Sequence, residues 1–403
     1  MDPRWRSAYN AAYSRELFAA YAAELQRRSG AVAFRLAETP VFIPAEFRAR
    51  CERAGAEIVA QLCEPARLRR MERAVPARWK VPGRDALPNF AALDFAAVRA
   101  EDGTLVPRLV ELQGFPSLVG FETMQAEAWA AVLATVPGLD RAWTNRFGGR
   151  DRDAFLALAR ATILGTHEPG DVVLLDLDPA SQKTACDFVA TERLFGVEAV
   201  DPRALTLRDH RLYRRDRDGV ERRVRRIYDR LIVDEIERTG ARLPFDPRQE
   251  IDVEWTPHPD WFWIWSKYSL AFLDHPAVPR TTLLSELAET PPNLEDGYVL
   301  KPLFSFAGGG VNVRPTGADV AAIAPAQREG WCLQERIEYA GALATPDGDP
   351  VKVEMRLMYL RPDADPALHL ALNLCRLARG AMHGVDYNRD LAWTGSSVGL
   401  WPA

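Results

Sequence analysis

Apolar and polar positions change their rhythm several times along this chain, and each change predicts a different element. Ala, Arg, Glu and Leu dominate 7–30 and 45–74, which are predicted helices punctuated by Pro40, Pro44 and Pro76. Two strand-like runs, 92–100 and 105–114, flank Glu101-Asp-Gly-Thr104 and predict a hairpin. A helix is expected near 121–136, ended by Pro137-Gly138. Arg152 to Leu164 is helical in pattern, and Asp171 to Asp178 is a buried-type apolar strand. A helix over Ser181 to Phe195 and a short strand over Val197 to Val200 follow, and strand–helix–strand at this spacing implies a parallel α/β layer. The segment 219–236 starts as a strand and runs into a helix. Beyond the prolines of 244–259 come an aromatic cluster (Trp261 to Trp265) and a helix from Lys267 to Leu273. Strands are expected at 298–302, 311–314, 331–337, 351–360 and 368–378, and the tail 384–400 reads as loop.

The hairpin brings acids together. Asp102-Gly103 is a preferred centre for a two-residue type I′ turn. With that turn Glu101 pairs with Thr104, Asp94 lies opposite Glu111, and Ala92 lies opposite Gln113. Side chains alternate along a strand, so Asp94, Glu111 and Gln113 share one face. Paired Cβ atoms sit roughly 5 Å apart, where two carboxylates repel. A divalent cation relieves that repulsion, and oxygen-only ligands suit magnesium. The competing reading is a solvent-exposed hairpin with no role for its charges, and Pro107 implies an edge or a bulge.

Composition narrows the function classes. At 403 residues, with 47% apolar and 27% charged residues, the chain has the balance of a soluble globular protein of two or three subdomains. A net charge of −5 argues against a general nucleic-acid binder. No apolar run approaches the ~20 residues of a membrane span, and no signal core follows the N-terminus. Five cysteines with no Cys-x-x-Cys pair suit reduced thiols, so a cytoplasmic protein is expected.

Lys301 ends a predicted strand and precedes Gly308-Gly309-Gly310. Glycines let backbone N–H groups approach phosphate oxygens, and a lysine adds charge. This is not a P-loop, and a glycine run alone is more often a flexible turn. The Arg-rich run 203–230 is interleaved with acids and reads as a solvated face. The tryptophans at 261, 263 and 265 read as packing residues, and His258 and His383 lack metal-ligand spacing.

Strand-Lys301, the glycine loop and Gln334-Glu335-Arg336-Ile337 stand in the order found in ATP-grasp enzymes. Upstream, Glu111-Leu-Gln113-Gly-Phe-Pro116 looks like a Glu-x-Asn-x-x-Pro metal strand. With Lys267 and Lys301 separated by 34 residues, the chain resembles the circularly permuted ATP-grasp domain of the glutathionylspermidine synthase family over about 81–130 and 255–380.

The resemblance implies an α/β (α+β ATP-grasp) protein. Its expected parts are an N-terminal helical region (1–80), a permuted ATP-grasp segment with the metal-binding hairpin (81–150), a parallel α/β pre-ATP-grasp-like domain (151–250) and a nucleotide-binding segment (251–403). It implies Asp94, Glu111 and Gln113 as magnesium ligands and Lys267 and Lys301 on ATP phosphates. Ser305, Gly308, Gly309 and Gly310 would cover the phosphates, and Gln334, Glu335 and Ile337 would bind adenosine. Gln113 departs from the family's asparagine, and Ala92 from its reactive-centre arginine. Arg356, Arg376 and Arg379 are candidates for that charge. The implied activity is an ATP- and Mg2+-dependent carboxylate–amine ligase working through an acyl phosphate on small-molecule carboxylate and amine substrates. A homodimer is compatible with it, and neither nucleic acid nor membrane is an expected partner. Two alternatives stand: a nucleotide-binding scaffold without turnover, and a phosphotransferase with a hydroxyl acceptor. Glu354 is a downstream metal candidate. Asp386, Tyr387 and Asn388 either face substrate or cap a turn.

Overall fold

In the computed structural model, the described residues are 1–305, 308–380, 388 and 390–403, apart from the side chain of Asp234. The N-terminal helices are shorter than the pattern predicts. Pro3–Ala12 and Arg15–Ser29 replace one continuous helix, because Ser14 turns extended and its Oγ accepts the N–H of Leu17. Ala45–Cys63 stops at Glu64, since the residue before Pro65 is driven out of the helical region, and Pro65 then starts Pro65–Met71.

The hairpin forms from Phe90–Arg99 and Leu105–Gln113, but its turn differs from the expected one. Ala100, not Glu101, pairs with Thr104, so the loop holds three residues, with Gly103 at a φ of 82°. That is the three-residue hairpin connection, which takes glycine in the left-handed region. It shifts the register by one residue. A bulge at Val110 shifts it back, because Phe95 pairs with Leu109 while Asp94 pairs with Glu111. Asp94 therefore faces Glu111, and Ala92 faces Gln113, as the pattern predicts. Pro107 sits in the edge strand opposite Ala97 without breaking the ladder.

Phe90–Arg99 also pairs antiparallel with Pro350–Leu360, which pairs with His369–Ala378. Strands at the two ends of the sequence thus share one six-stranded sheet among the described residues. The expected tail loop is partly strand. Gly395–Ser397 joins this sheet, and Gly399–Pro402 pairs with Val41–Phe42 and Trp143–Thr144. Its glycines and serines give no strand period, and partners supply the ladder instead. Residues 311–314 form no strand; only Asn312 bridges to Leu300. Lys267–Phe272 is a 3-10 helix capped by Ser266.

Val172–Leu175, Glu198–Val200, Arg226–Asp229 and Glu254–Thr256 make a parallel four-stranded sheet. The arginine-rich segment is in part the exposed sheet Thr206–Arg208, Arg211–Arg215 and Glu221–Val224. Arg214, Arg226 and Arg230 are nonetheless buried in ion pairs. A further sheet places Trp331–Glu335 between Thr281–Leu283 and Tyr298–Pro302. Trp261, Trp263 and Trp265 are buried. The architecture is a mixed α+β fold with antiparallel and parallel sheets.

Candidate active site

Four distant segments meet at the open face of the hairpin. The bulge at Val110 takes one residue out of the ladder, and Lys301 Nζ donates to the Val110 carbonyl at 3.2 Å. Lys301 also donates to Oε1 of Gln334, whose amide nitrogen donates to Thr281 Oγ1. Lys267, at the start of the 3-10 helix, reaches Glu111 Oε1 at 3.4 Å and donates to the Ser305 carbonyl. Burial pushes the Lys301 ammonium below its ordinary pKa, although Cys332 and Glu111 oppose that shift. Glu111, Gln113, Lys267, Phe262, Phe304 and Ser305 line a cleft with about 20 Å³ of free space, room for about one water molecule. Gly308 to Gly310 form a turn just beyond Ser305. Gly308 and Gly310 have φ of 74° and 72°, the left-handed region that favours glycine.

Asp94 is engaged differently. Its side chain is 2% exposed, and Arg356 grips it with two bonds, Nε to Oδ1 at 2.6 Å and Nη2 to Oδ2 at 2.7 Å. Arg376 Nη2 donates to Asp94 Oδ2 and pairs with Glu354 Oε1 at 2.6 Å. Tyr339 donates to the other Glu354 oxygen at 2.6 Å, and Arg356 Nη1 donates to Ser117 Oγ at 2.8 Å. Burial alone would raise the Asp94 pKa; the charges and hydrogen bonds of Arg356 and Arg376 outweigh it and hold the carboxyl below its ordinary value. Burial and the Glu354 carboxylate push the Tyr339 phenol well up.

The other expected residues divide into two groups. Gln334 is buried against Lys301, and Ile337 is half-buried just past the end of its strand. Glu335 meets Arg280 at 3.1 Å. Arg356 and Arg376 converge on Asp94, two residues after Ala92 on the same strand. Arg379 does not join them: it pairs with the exposed Asp349 at 2.7 Å. Asn388 Oδ1 accepts the backbone N–H groups of Arg379 and Gly380, which is a turn-capping role. His383, Asp386 and Tyr387 lie outside the described residues. His258 contacts the Pro82 carbonyl through Nε2.

The donor set fits magnesium in part. Magnesium is commonly held by one or two carboxylates plus substrate phosphates. Glu111, 28% exposed at the cleft, and the Gln113 side-chain oxygen suit that role. Asp94 does not, because arginine N–H groups occupy both of its oxygens. No group of three or more His, Cys, Asp or Glu side chains is arranged to hold a metal ion among the described residues.

Sequence reading missed Tyr339 and Ser117, which carry no local signal. It also missed an acid cluster at the carboxyl ends of the parallel strands. Asp176 follows Val172–Leu175 and Asp229 ends the adjacent strand, both buried. The neighbouring Arg230 is bound by Asp187 at 2.7 Å. Burial raises the Asp176 carboxyl to about 7 and the Asp229 carboxyl to about 8. The run Asp171-Val-Val-Leu-Leu-Asp-Leu-Asp178 held the clue, since a parallel strand ends with its polar groups at one edge of the sheet.

No protein-family model matches this sequence, and no curated protein matches it. The fold is similar to a solved structure, the apo form of a glutathione synthetase-like effector, GSS30, from Globodera pallida. The TM-score is 0.51 at 12% identity, over 91% of this chain and 95% of that one. The chain therefore has a glutathione synthetase-like fold.

Proposed function

We propose that this protein is an ATP- and magnesium-dependent carboxylate–amine ligase. The observation that carries the reading is the cleft where Lys267, the Ser305 turn and the Glu111–Gln113 strand meet, with Lys301 bound to the same strand through the Val110 carbonyl. Two buried lysine cations and one open carboxylate suit a polyphosphate with its counter-ion. Magnesium, when bound with the nucleotide, would supply neutralising charge to the phosphates. The protein's own task is positioning. Lys267 and Lys301 would exchange their contacts with Ser305, Gln334 and the Val110 carbonyl for phosphate oxygens, and Glu111 and Gln113 would hold the metal. Gln334, Glu335 and Ile337 would face adenosine. The substrate carboxylate oxygen attacks the γ-phosphorus, giving an acyl phosphate and ADP. The amine nitrogen then attacks the acyl carbon, giving an amide and phosphate. Arg356 and Arg376 would stabilise the acyl-phosphate oxyanion. Unpaired cysteines suit a reducing compartment such as the cytoplasm, and no described helix is long and apolar enough to cross a membrane.

Isothermal titration with ATP tests this reading: heat that requires magnesium supports it, and its absence sinks it. Gln113 and Ala92, which stand where the resembled family has asparagine and a reactive-centre arginine, favour one second reading, a nucleotide-binding scaffold without turnover. ADP release with a pool of amino acids and polyamines separates the two. Trapping with hydroxylamine separates a ligase, which yields hydroxamate, from a phosphotransferase acting on a hydroxyl.

A further inference from the structure

We propose that Asp94 is a positioning residue, which holds Arg356 and Arg376 as a preformed seat for a substrate oxyanion and leaves the metal to Glu111 and Gln113. The inference rests on the ligase reading above. Three guanidinium nitrogens fill the two Asp94 oxygens. A divalent cation at Asp94 would stand beside two arginines, so like charges would repel at close range. Displacing an arginine instead would leave a buried guanidinium without its carboxylate.

Each arginine is also held from a second side. Ser117 Oγ takes Arg356 Nη1, and Glu354 takes Arg376, with Tyr339 bracing Glu354 in turn. Arg376 nevertheless keeps donor capacity. Its side-chain bonds among the described residues all leave from Nη2, its Nε is enclosed, and the side chain is 28% exposed, which leaves Nη1 as the available donor. A guanidinium carries five N–H groups, and the two on Nη2 of Arg376 are taken by Asp94 and Glu354. Asp94, Glu354 and Tyr339 therefore fix an arginine whose Nη1 is left to donate, within electrostatic reach of Glu111. An oxygen of a carboxylate, or of the acyl phosphate made from it, is the chemistry such a charged donor receives.

Titrating ATP against the full-length chain at increasing MgCl2 tests this. The proteins compared are wild type, Asp94→Asn, Glu111→Gln and Arg376→Lys. In Glu111→Gln the magnesium concentration for half-maximal ATP binding should rise on the order of tenfold or more. In Asp94→Asn it should move less than about twofold, while hydroxamate formation from a pool of amino acids falls on the order of 100-fold. Arg376→Lys keeps the charge but loses the Nη1 donor, and should show the same split. A wild-type titration without magnesium-dependent heat sinks the ligase reading, and this inference with it. Magnesium-dependent heat in wild type that Asp94→Asn loses as fully as Glu111→Gln sinks this inference alone. If Asp94→Asn does not fold, Arg376→Lys decides: a tighter magnesium half-saturation, with the freed Asp94 joining the metal, overturns it.

Discussion

Two regions bury carboxylates on or just past strands, and they treat the charge in opposite ways. At the hairpin, Asp94 and Glu354 meet Arg356 and Arg376 one for one, and the Asp94 carboxyl is held below its ordinary pKa. At the parallel sheet, Asp187 takes Arg230, and Asp176 and Asp229 are left with backbone N–H donors from Leu177 and Leu231. Their carboxyls rise to about 7 and about 8. Burial is near complete at Asp94, Asp176 and Asp229, so depth does not explain the difference. What decides is whether a guanidinium is committed to the carboxylate, because desolvation and a paired charge act with opposite sign.

The largest effect should come from breaking the well-paired region. Asp94→Ala leaves the Arg356 and Arg376 charges uncompensated, and should cost about 3–5 kcal/mol in urea unfolding. A midpoint equal to wild type would mean that the pairing contributes nothing. Next comes Lys301→Met, which on the proposed ligase reading removes a charge-assisted contact to phosphate. It should weaken magnesium-dependent ATP binding by roughly ten- to a hundredfold in titration calorimetry.

The under-paired region should answer to pH. The folded pKa values of Asp176 and Asp229 are raised, so above pH ~4 the unfolded chain releases protons that the folded protein keeps. Stability from these groups therefore falls as pH rises, and levels off once the folded carboxyls ionise near 7 and 8. Asp229→Asn should flatten this slope and stabilise the protein by about 1–3 kcal/mol at pH 8 relative to pH 5. Denaturant melts at the two pH values check it, and an unchanged slope would remove the contrast between the regions. The smallest effect belongs to Arg379→Ala. Its partner Asp349 is 53% exposed, so the change should cost less than ~0.5 kcal/mol and leave ATP binding unaltered.

Much of the site geometry was legible because strand periodicity is strict. The facing of Asp94 and Glu111 followed from pairing arithmetic even though the turn was of another type. The extra loop residue and the Val110 bulge displaced the register by one each, in opposite senses. A bulge has no clear local signature, so agreement near the turn and agreement at the site were separate matters. The order Lys267, Lys301, glycine loop, Gln334 was equally legible, since each lies on its own short element.

The sequence alone determined which residues could carry charge to the cleft, and on which face of each strand they stand, because period-two alternation is local. Only the tertiary structure decided how that charge is spent. Arg356 and Arg376 lie 262 and 282 residues from Asp94, and pairing of the 350–360 strand with the hairpin, and of the 369–378 strand with the 350–360 strand, delivers them. Likewise, the tail became strand because neighbours offered unpaired backbone groups, not because its residues favour extension. Partner choice across such separations depends on which strands lie side by side, and no local pattern encodes that.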